Sequence, residues 1–167
     1  MSVLLVGLDP QVAAAVTRRL IAQGDQVRVI ASPAGPAPEG AYVATGDAGD
    51  DDLVERAAQG CRTIVIGTVS GAVRAAALTG AGRAGVGRAV LLGDLGADAP
   101  ASMSWVALVT PGRGLLGRRR ALDPDALAEA VDAADDLAGE PRLVADLATE
   151  EGWRALRLEP PGSSRGP

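Results

Sequence analysis

Short apolar runs alternate along this chain with longer, alanine-rich stretches in which apolar residues recur every three or four positions. The runs have strand length and the stretches have helical period. Residues 2–7 read as a first strand. Residues 10–23 read as a helix with Val12, Val16 and Leu20 on one face, closed by Gly24, a residue type suited to the left-handed end of a helix. Strands follow at 26–31 and 41–45, separated by the loop SPAGPAPEG at 32–40, whose prolines and glycines exclude a helix. A helix at 50–59 carries Asp50, Asp51 and Asp52 at its positive end. Next come a strand at 63–67, a helix from 70 to about 83 that Gly80 and Gly82 should break, and a strand at 88–93. A loop at 94–102 leads to a strand at 104–110 and then a Gly/Arg-rich loop at 111–122. Asp123 and Pro124 start a helix that ends near Ala138, and 142–146 and 155–158 read as two late strands.

Strands alternating with helices run parallel, because each crossover must cover a face of the sheet. The runs VLLV, TIVIG and AVLLG are apolar at consecutive positions, as strands buried on both faces require. The expectation is one doubly wound, mostly parallel α/β domain over residues 1–160, with a disordered tail at 161–167. No internal repeat or domain boundary interrupts it.

Composition narrows what such a domain can do. Apolar residues make up 47% of the chain but none is Phe, so the core must be Val, Leu, Ile and Ala. A net charge of −5 argues against nucleic acid as a partner, since that association needs a positive field. The single cysteine, Cys61, allows no intrachain disulfide, and its place before an apolar strand suits a small buried residue. No charged segment precedes an apolar leader, and no apolar run approaches the ~20 residues of a membrane span. The expected location is cytoplasmic. There is no histidine, and all 16 basic residues are arginine. That removes the commonest general base, the Schiff-base and P-loop lysines, and any Cys/His zinc set.

Five blocks, in order, resemble the atypical short-chain dehydrogenase/reductases, in particular their NmrA-like or NAD(P)H-binding branch. VLLVGLDPQVAAAVTRRLIAQGDQVRVI is similar to the family's opening βαβ unit. GDAGDDDLVERAAQGCRTIVIG, VRAAALTGAGRAGVGRAVLLG, WVALVTPGRGLLG and LDPDALAEAVDAA resemble its later blocks. The resemblance covers roughly residues 2–158 and implies a Rossmann-type fold with an ancestral NAD(P) site. Family members usually carry a longer stretch between the fifth and sixth strands, often with a Tyr-x-x-x-Lys pair. Here residues 94–103 join those strands, and the sole tyrosine, Tyr42, has Gly46 four positions on. The acid–base pair therefore has no counterpart, and the chain reads as a truncated, degenerate member.

The resemblance places a dinucleotide crevice over Gly7, Leu8, Asp9, Pro10 and Gln11, over Ala31 and Ser32 after the second strand, over Asp47 and Ala48 after the third, and over Gly67 and Thr68 after the fourth. The family's turn resembles G-x-x-G-x-x-G. Gly7 keeps the first place, Pro10 takes the second and Ala13 the third. Ala13 still allows close helix–strand packing, whereas Pro10 adds a ring and removes an N–H where backbone should approach phosphate. Asp9-Pro10 is also a strong helix start, and its carboxylate would take the N–H groups that a pyrophosphate needs. Two unit charges ~4 Å apart repel by about 4 kcal/mol at an effective dielectric near 20. Asp9-Pro10 thus either caps a helix in a protein that no longer binds dinucleotide, or belongs to a site altered for an uncharged or cationic ligand or for a cofactor held by other contacts. The expected cofactor is none, or weakly bound NAD(P). Ala31 and Ser32 supply neither the acid that accepts from a ribose 2′-OH nor the arginine that takes a 2′-phosphate. Asp47 matches the family's adenine-side aspartate and equally suits an Asp turn.

Other charged residues have plain structural readings. Arg28 lies inside a strand and reads as solvent-facing. Asp47, Asp50, Asp51 and Asp52 could suggest Mg²⁺, but the helix start explains them better. Glu129, Asp132, Asp135 and Asp136 read as the wet face of a helix. Arg113, Arg118, Arg119 and Arg120 form one concentrated basic patch, which could take phosphate, an acidic protein partner or nucleic acid. The leading expectation is a degenerate member acting as a scaffold, regulator or small-ligand binder, self-associating as a homo-oligomer. The alternatives are an active NAD(P)H-dependent oxidoreductase, a cofactor-free isomerase or cyclase using Asp9, Asp47 or Thr68, and an interaction module built on the arginine patch.

Overall fold

The computed structural model of the chain describes residues 1–33, 35–67, 70–93, 102–109, 122–137 and 143–161. In chain order the elements are β1 (Ser2–Val6), α1 (Pro10–Ala22), β2 (Gln26–Ala31), β3 (Tyr42–Thr45), α2 (Asp51–Ala58), β4 (Thr63–Ile66), α3 (Gly71–Arg83), β5 (Arg88–Leu92), β6 (Ser104–Val109), α4 (Pro124–Leu137), β7 (Leu143–Asp146) and α5 (Glu150–Ala155). The seven strands form one sheet in the order β3-β2-β1-β4-β5-β6-β7, and every pairing is parallel. The chain runs outward from β1 in one direction and then outward from β4 in the other. That reversal is the topological switch point of a Rossmann-type sheet.

The consecutive apolar residues of the central strands divide between two faces. Val3 and Leu5 of β1 join Val65, Val90, Val106 and Leu108 in a core beneath α1 and α4. Leu4 and Val6 join Ile64, Ile66, Ala89 and Leu91 in a second core beneath α2 and α3. Alternate side chains of a strand point to opposite faces, so a strand covered on both sides must be apolar throughout.

Four expectations are corrected. First, α3 runs unbroken through Gly80 and Gly82. A Cβ on Gly80 would lie 2.5 Å from the Asp51 carbonyl oxygen and 2.7 Å from the Val54 Cβ. Gly80 is therefore where α3 and α2 meet backbone to backbone, and the packing gained there offsets its poor helix propensity.

Second, residues 155–158 form no strand. Glu150–Ala155 is a helix whose N-cap, Thr149, accepts from the Gly152 N–H. Trp153 is buried and its indole Nε1 donates to the Leu147 carbonyl at 3.0 Å, so this segment folds back against β7.

Third, the acids of α4 are not all wet. Asp135 is 2% exposed and accepts from Thr63 Oγ1 and from Arg62. Asp132 accepts from Arg19 Nε at 2.8 Å and Gln23 Nε2 at 2.7 Å. Their i, i+3 spacing puts both on one side of α4, where α1 and the start of β4 supply the partners. Glu129 and Asp136 remain exposed as expected.

Fourth, Arg28 is half-buried, and its Nη1 donates to the Ala57 and Gln59 carbonyls. It neutralises the negative end of α2 rather than facing solvent.

Cys61 is buried as expected. Among the described residues, no helix is long and apolar enough to cross a membrane. The expected tail lies outside the described residues from position 162 onward.

Candidate ligand crevice

At the switch point β1 and β4 end side by side. The Gly67 N–H donates to the Val6 carbonyl at 2.9 Å. A Cβ on Gly67 would lie 2.3 Å from the Gly7 carbonyl oxygen and 2.9 Å from the Leu8 Cα. Backbone meets backbone here, and a side chain at position 67 would push the β1–α1 turn away. Gly7, at φ 68, turns the chain out of the sheet toward α1.

The start of α1 is closed by its own residues. Asp9 is the N-cap, and its carboxylate accepts from the Gln11 N–H at 2.9 Å. The Asp9 carbonyl accepts from the Ala13 N–H at 2.8 Å, and Pro10 has no N–H. Three of the first four helical residues thus offer no N–H to an incoming anion. The usual attraction of a helix start for phosphate comes from those groups, and here a carboxylate already occupies the position.

Between this turn and the end of β2 lies a cavity of about 330 Å³. Leu8, Pro10 and Ala13 line it from the β1–α1 turn and α1, Ala31 and Ser32 from the end of β2, and Pro36, Pro38 and Glu39 from the loop that follows. The loop folds over the strand end through the Gly35 N–H, which donates to the Ser32 carbonyl at 2.9 Å. Glu39 is the only ionisable residue lining the cavity among the described residues, and no arginine lines it. Sequence reasoning missed Glu39. The available signal was its place as the only charged residue in the loop that follows the strand whose end contacts ribose in such folds.

The structure therefore brings Gly7, Leu8, Pro10, Ala31 and Ser32 around one cavity, with Asp9 between two of its lining residues. Gln11, Asp47, Ala48 and Gly67 do not line it. Asp47 makes an Asp turn, its Oδ1 accepting from the Gly49 N–H at 2.8 Å. The neighbouring Gly46 N–H donates to the Ala31 carbonyl at 3.0 Å, which ties this turn to the cavity's strand end. Thr68 lies outside the described residues, as do Arg113, Arg118, Arg119 and Arg120.

Asp50, Asp51 and Asp52 have carboxylate oxygens within 4.8 Å of one another. The Asp50 carboxylate caps α2 by accepting from the Asp52 and Leu53 N–H groups. Arg83 of α3 lies 3.5 Å from Asp51, 2.7 Å from Asp52 and 2.9 Å from Glu55. A guanidinium and a helix start satisfy this cluster.

No family profile matches the chain, and no curated protein does. Solved structures do match it. ChuY from Escherichia coli O157:H7, described as an anaerobillin reductase, is similar with a TM-score of 0.63 at 16% identity, over 99% of this chain and 100% of its own. WbmH from Bordetella bronchiseptica, solved in complex with NAD+, is similar with a TM-score of 0.61 at 15% identity, over 87% of this chain and 74% of its own. A Rossmann-fold NAD(P)-binding family protein from Shigella flexneri has a TM-score of 0.59 at 16% identity, over 83% of this chain and 86% of its own. At such identities the likeness is one of fold. This chain has a Rossmann-like fold matching that of NAD(P)-binding proteins.

Proposed function

We propose that this chain is a small-ligand-binding Rossmann protein of the atypical, NmrA-like short-chain dehydrogenase/reductase type, in which the grip on a pyrophosphate is lost and the protein acts as a ligand-responsive regulator or scaffold. The observation that carries this reading is the Asp9 carboxylate on the Gln11 N–H, in the turn whose Gly7, Leu8 and Pro10 line a cavity of about 330 Å³. A dinucleotide would have to displace that cap and bring its own negative charge beside it. The absence of histidine and lysine, and of a Tyr-x-x-x-Lys pair, supports a non-catalytic role. NAD(P) is bound weakly if at all, and the lack of a lining arginine favours the form without the 2′-phosphate.

Calorimetric titration of NADH and NADPH tests the reading, with the Asp9→Gly/Pro10→Gly double variant alongside. Wild type should bind both weakly, and the double variant should gain at least about tenfold, or ~1.4 kcal/mol. Micromolar binding by wild type would overturn the reading.

A second reading is an NADH-dependent reductase. It is supported by ChuY, described as a reductase and matched along its whole length by 99% of this chain. A short Rossmann domain is therefore no obstacle to that activity. Saturable NADH oxidation that depends on an added carbonyl acceptor would establish the reductase over the regulator.

A further inference from the structure

We propose that the free edge of the sheet at β3 is a self-association surface, and that its occupant is β3 of a second copy, paired antiparallel about a two-fold axis at Ala44.

β3 ends the sheet, with β2 on one side and no described strand on the other. Tyr42 is 65% exposed and Val43 44%. Residues 40–46 hold no charged group and no proline, the devices that ordinarily keep an edge strand from pairing. Val43 stands opposite Val29, on the face covered by α1, and the β2–β3 connection supplies no helix to cover it. The other edge is managed differently, since β7 carries Asp146 and α5 folds against it.

The backbone sets the register. The Gly46 N–H donates to the Ala31 carbonyl of β2. Main-chain groups alternate sides along a strand, so Tyr42 and Ala44 also turn theirs toward β2, while Val43 and Thr45 turn theirs to the free edge. In an antiparallel ladder, residues with outward groups pair by exchanging two N–H···O bonds. One register satisfies both outward residues within the strand: Val43 opposite the partner's Thr45, and Thr45 opposite the partner's Val43. Ala44 then faces the partner's Ala44 in a close pair that a methyl group fits. Tyr42 stands opposite the partner's Gly46, where no side chain competes with the ring. Leu53 reaches to 2.6 Å from the place of a Cβ on Gly46, so the ring also meets an apolar neighbour.

Charge favours a second copy as the occupant. Ala44 packs on the core beneath α2, so α2 lies on the same face as Tyr42. That helix is divided along its length, with Asp50, Asp51 and Asp52 at its start and Arg56 in its last turn. Arg56 is exposed and pairs with no acid among the described residues. The two-fold axis reverses the partner's α2, which brings the acidic start of each helix toward the Arg56 end of the other. Two chains of net charge −5 repel, and β3 offers them a strip of contact that carries no carboxylate.

Sedimentation velocity on the full chain tests the surface, with each protein checked for fold by circular dichroism. Wild type should pass from monomer to dimer as its concentration rises through the micromolar range. Thr45→Pro removes an outward N–H and leaves the bonds to β2 in place, so it should weaken self-association by at least about tenfold. Val43→Glu should do the same by setting a charge on the edge. The register is read by cross-linking under a mild oxidant. Ala44→Cys places two thiols across a pair whose Cα spacing suits a disulfide, and it should give a covalent dimer. Ala41→Cys lies too far from its own copy in this register and should not. A folded wild type that stays monomeric would overturn the proposal and leave the edge to an extended segment of a different chain. A dimer that survives both Thr45→Pro and Val43→Glu would overturn it by placing the interface elsewhere. A dimer lost in those variants but not cross-linked through Ala44→Cys would overturn the antiparallel two-fold pairing.

Discussion

Arg62 and Asp135 join the foot of β4 to the last turn of α4. The guanidinium Nη2 donates to a carboxylate that is 2% exposed and that also accepts from Thr63 Oγ1. The same Nη2 lies 3.3 Å from Asp25, which in turn pairs with the Met1 amino group at 3.1 Å. A buried pair contributes little net stability, but removing Asp135 leaves Thr63 Oγ1 without this acceptor and Arg62 with the longer contact to Asp25. Asp135→Ala should therefore cost about 3 kcal/mol, read as a lowered urea midpoint at unchanged slope. A loss below about 1 kcal/mol would show that solvent reaches and satisfies Arg62.

Gly80 and Gly71 make a matched pair on α3. In a helix Gly→Ala ordinarily stabilises, by up to about 1 kcal/mol. Gly71 has nothing within 4 Å of a new Cβ, so Gly71→Ala should follow that rule. At Gly80 the new methyl would stand 2.5 Å from the Asp51 carbonyl and 2.9 Å from the Glu55 nitrogen, both backbone atoms. Gly80→Ala should destabilise by roughly 1–3 kcal/mol through overpacking. Thermal unfolding of the two variants should show melting temperatures that move in opposite directions.

Burial pushes the Cys61 thiol up from its ordinary range, with the nearby Arg28 charge opposing it in part. Cys61 is 7% exposed as a residue, so a disulfide reagent should react with it only when the chain opens. Below the unfolded pKa, near about 8.5, the thiol is protonated in both states and stability is unaffected. As pH rises above that value the unfolded chain releases its proton before the folded one does, and stability falls by up to ~1.4 kcal/mol per pH unit until the folded pKa is passed. Cys61→Ala should flatten that part of the stability–pH curve, and an unchanged slope would rule out the assignment.

Asp9 has a structural duty apart from any ligand. Asp9→Ala removes the acceptor for the Gln11 N–H and should cost about 1 kcal/mol. Asp9→Asn should cost only a few tenths of that, since it keeps an oxygen in place. Equal losses for both variants, measured by urea unfolding, would show that the charge beside the helix start matters more than the hydrogen bond.

Much of the fold was legible because its signals are local. Seven strands and four helices lie within about a residue or two of the spans read from periodicity and punctuation. The Asp9-Pro10 cap was legible for the same reason, since an N-cap bonds an N–H only two residues away. The candidate site was legible in part. The turn residues and the end of β2 do line one cavity, but Glu39 enters it only through the path of a loop, and Asp47 stays outside it. The last strand was misread as well. Residues 155–158 are short and apolar enough for either state, and Trp153 docking on Leu147 decides for a helix and turn.

By itself the sequence determined the order of the elements, the parallel sheet and the capped start of α1. The spans and the cap depend on residues within a turn or a strand of one another, and the parallel sheet follows from the alternation of strands with covering helices. The tertiary structure decided which polar residues lost their water and which glycine joined two helices. Asp135 and Thr63 are 72 positions apart, and Arg19 and Asp132 are 113 apart. Gly80 is set by Asp51 and Val54 across the α2–α3 contact. A charge on a helix face is wet or buried according to what sits opposite it, and chain folding, not local pattern, brings that partner there.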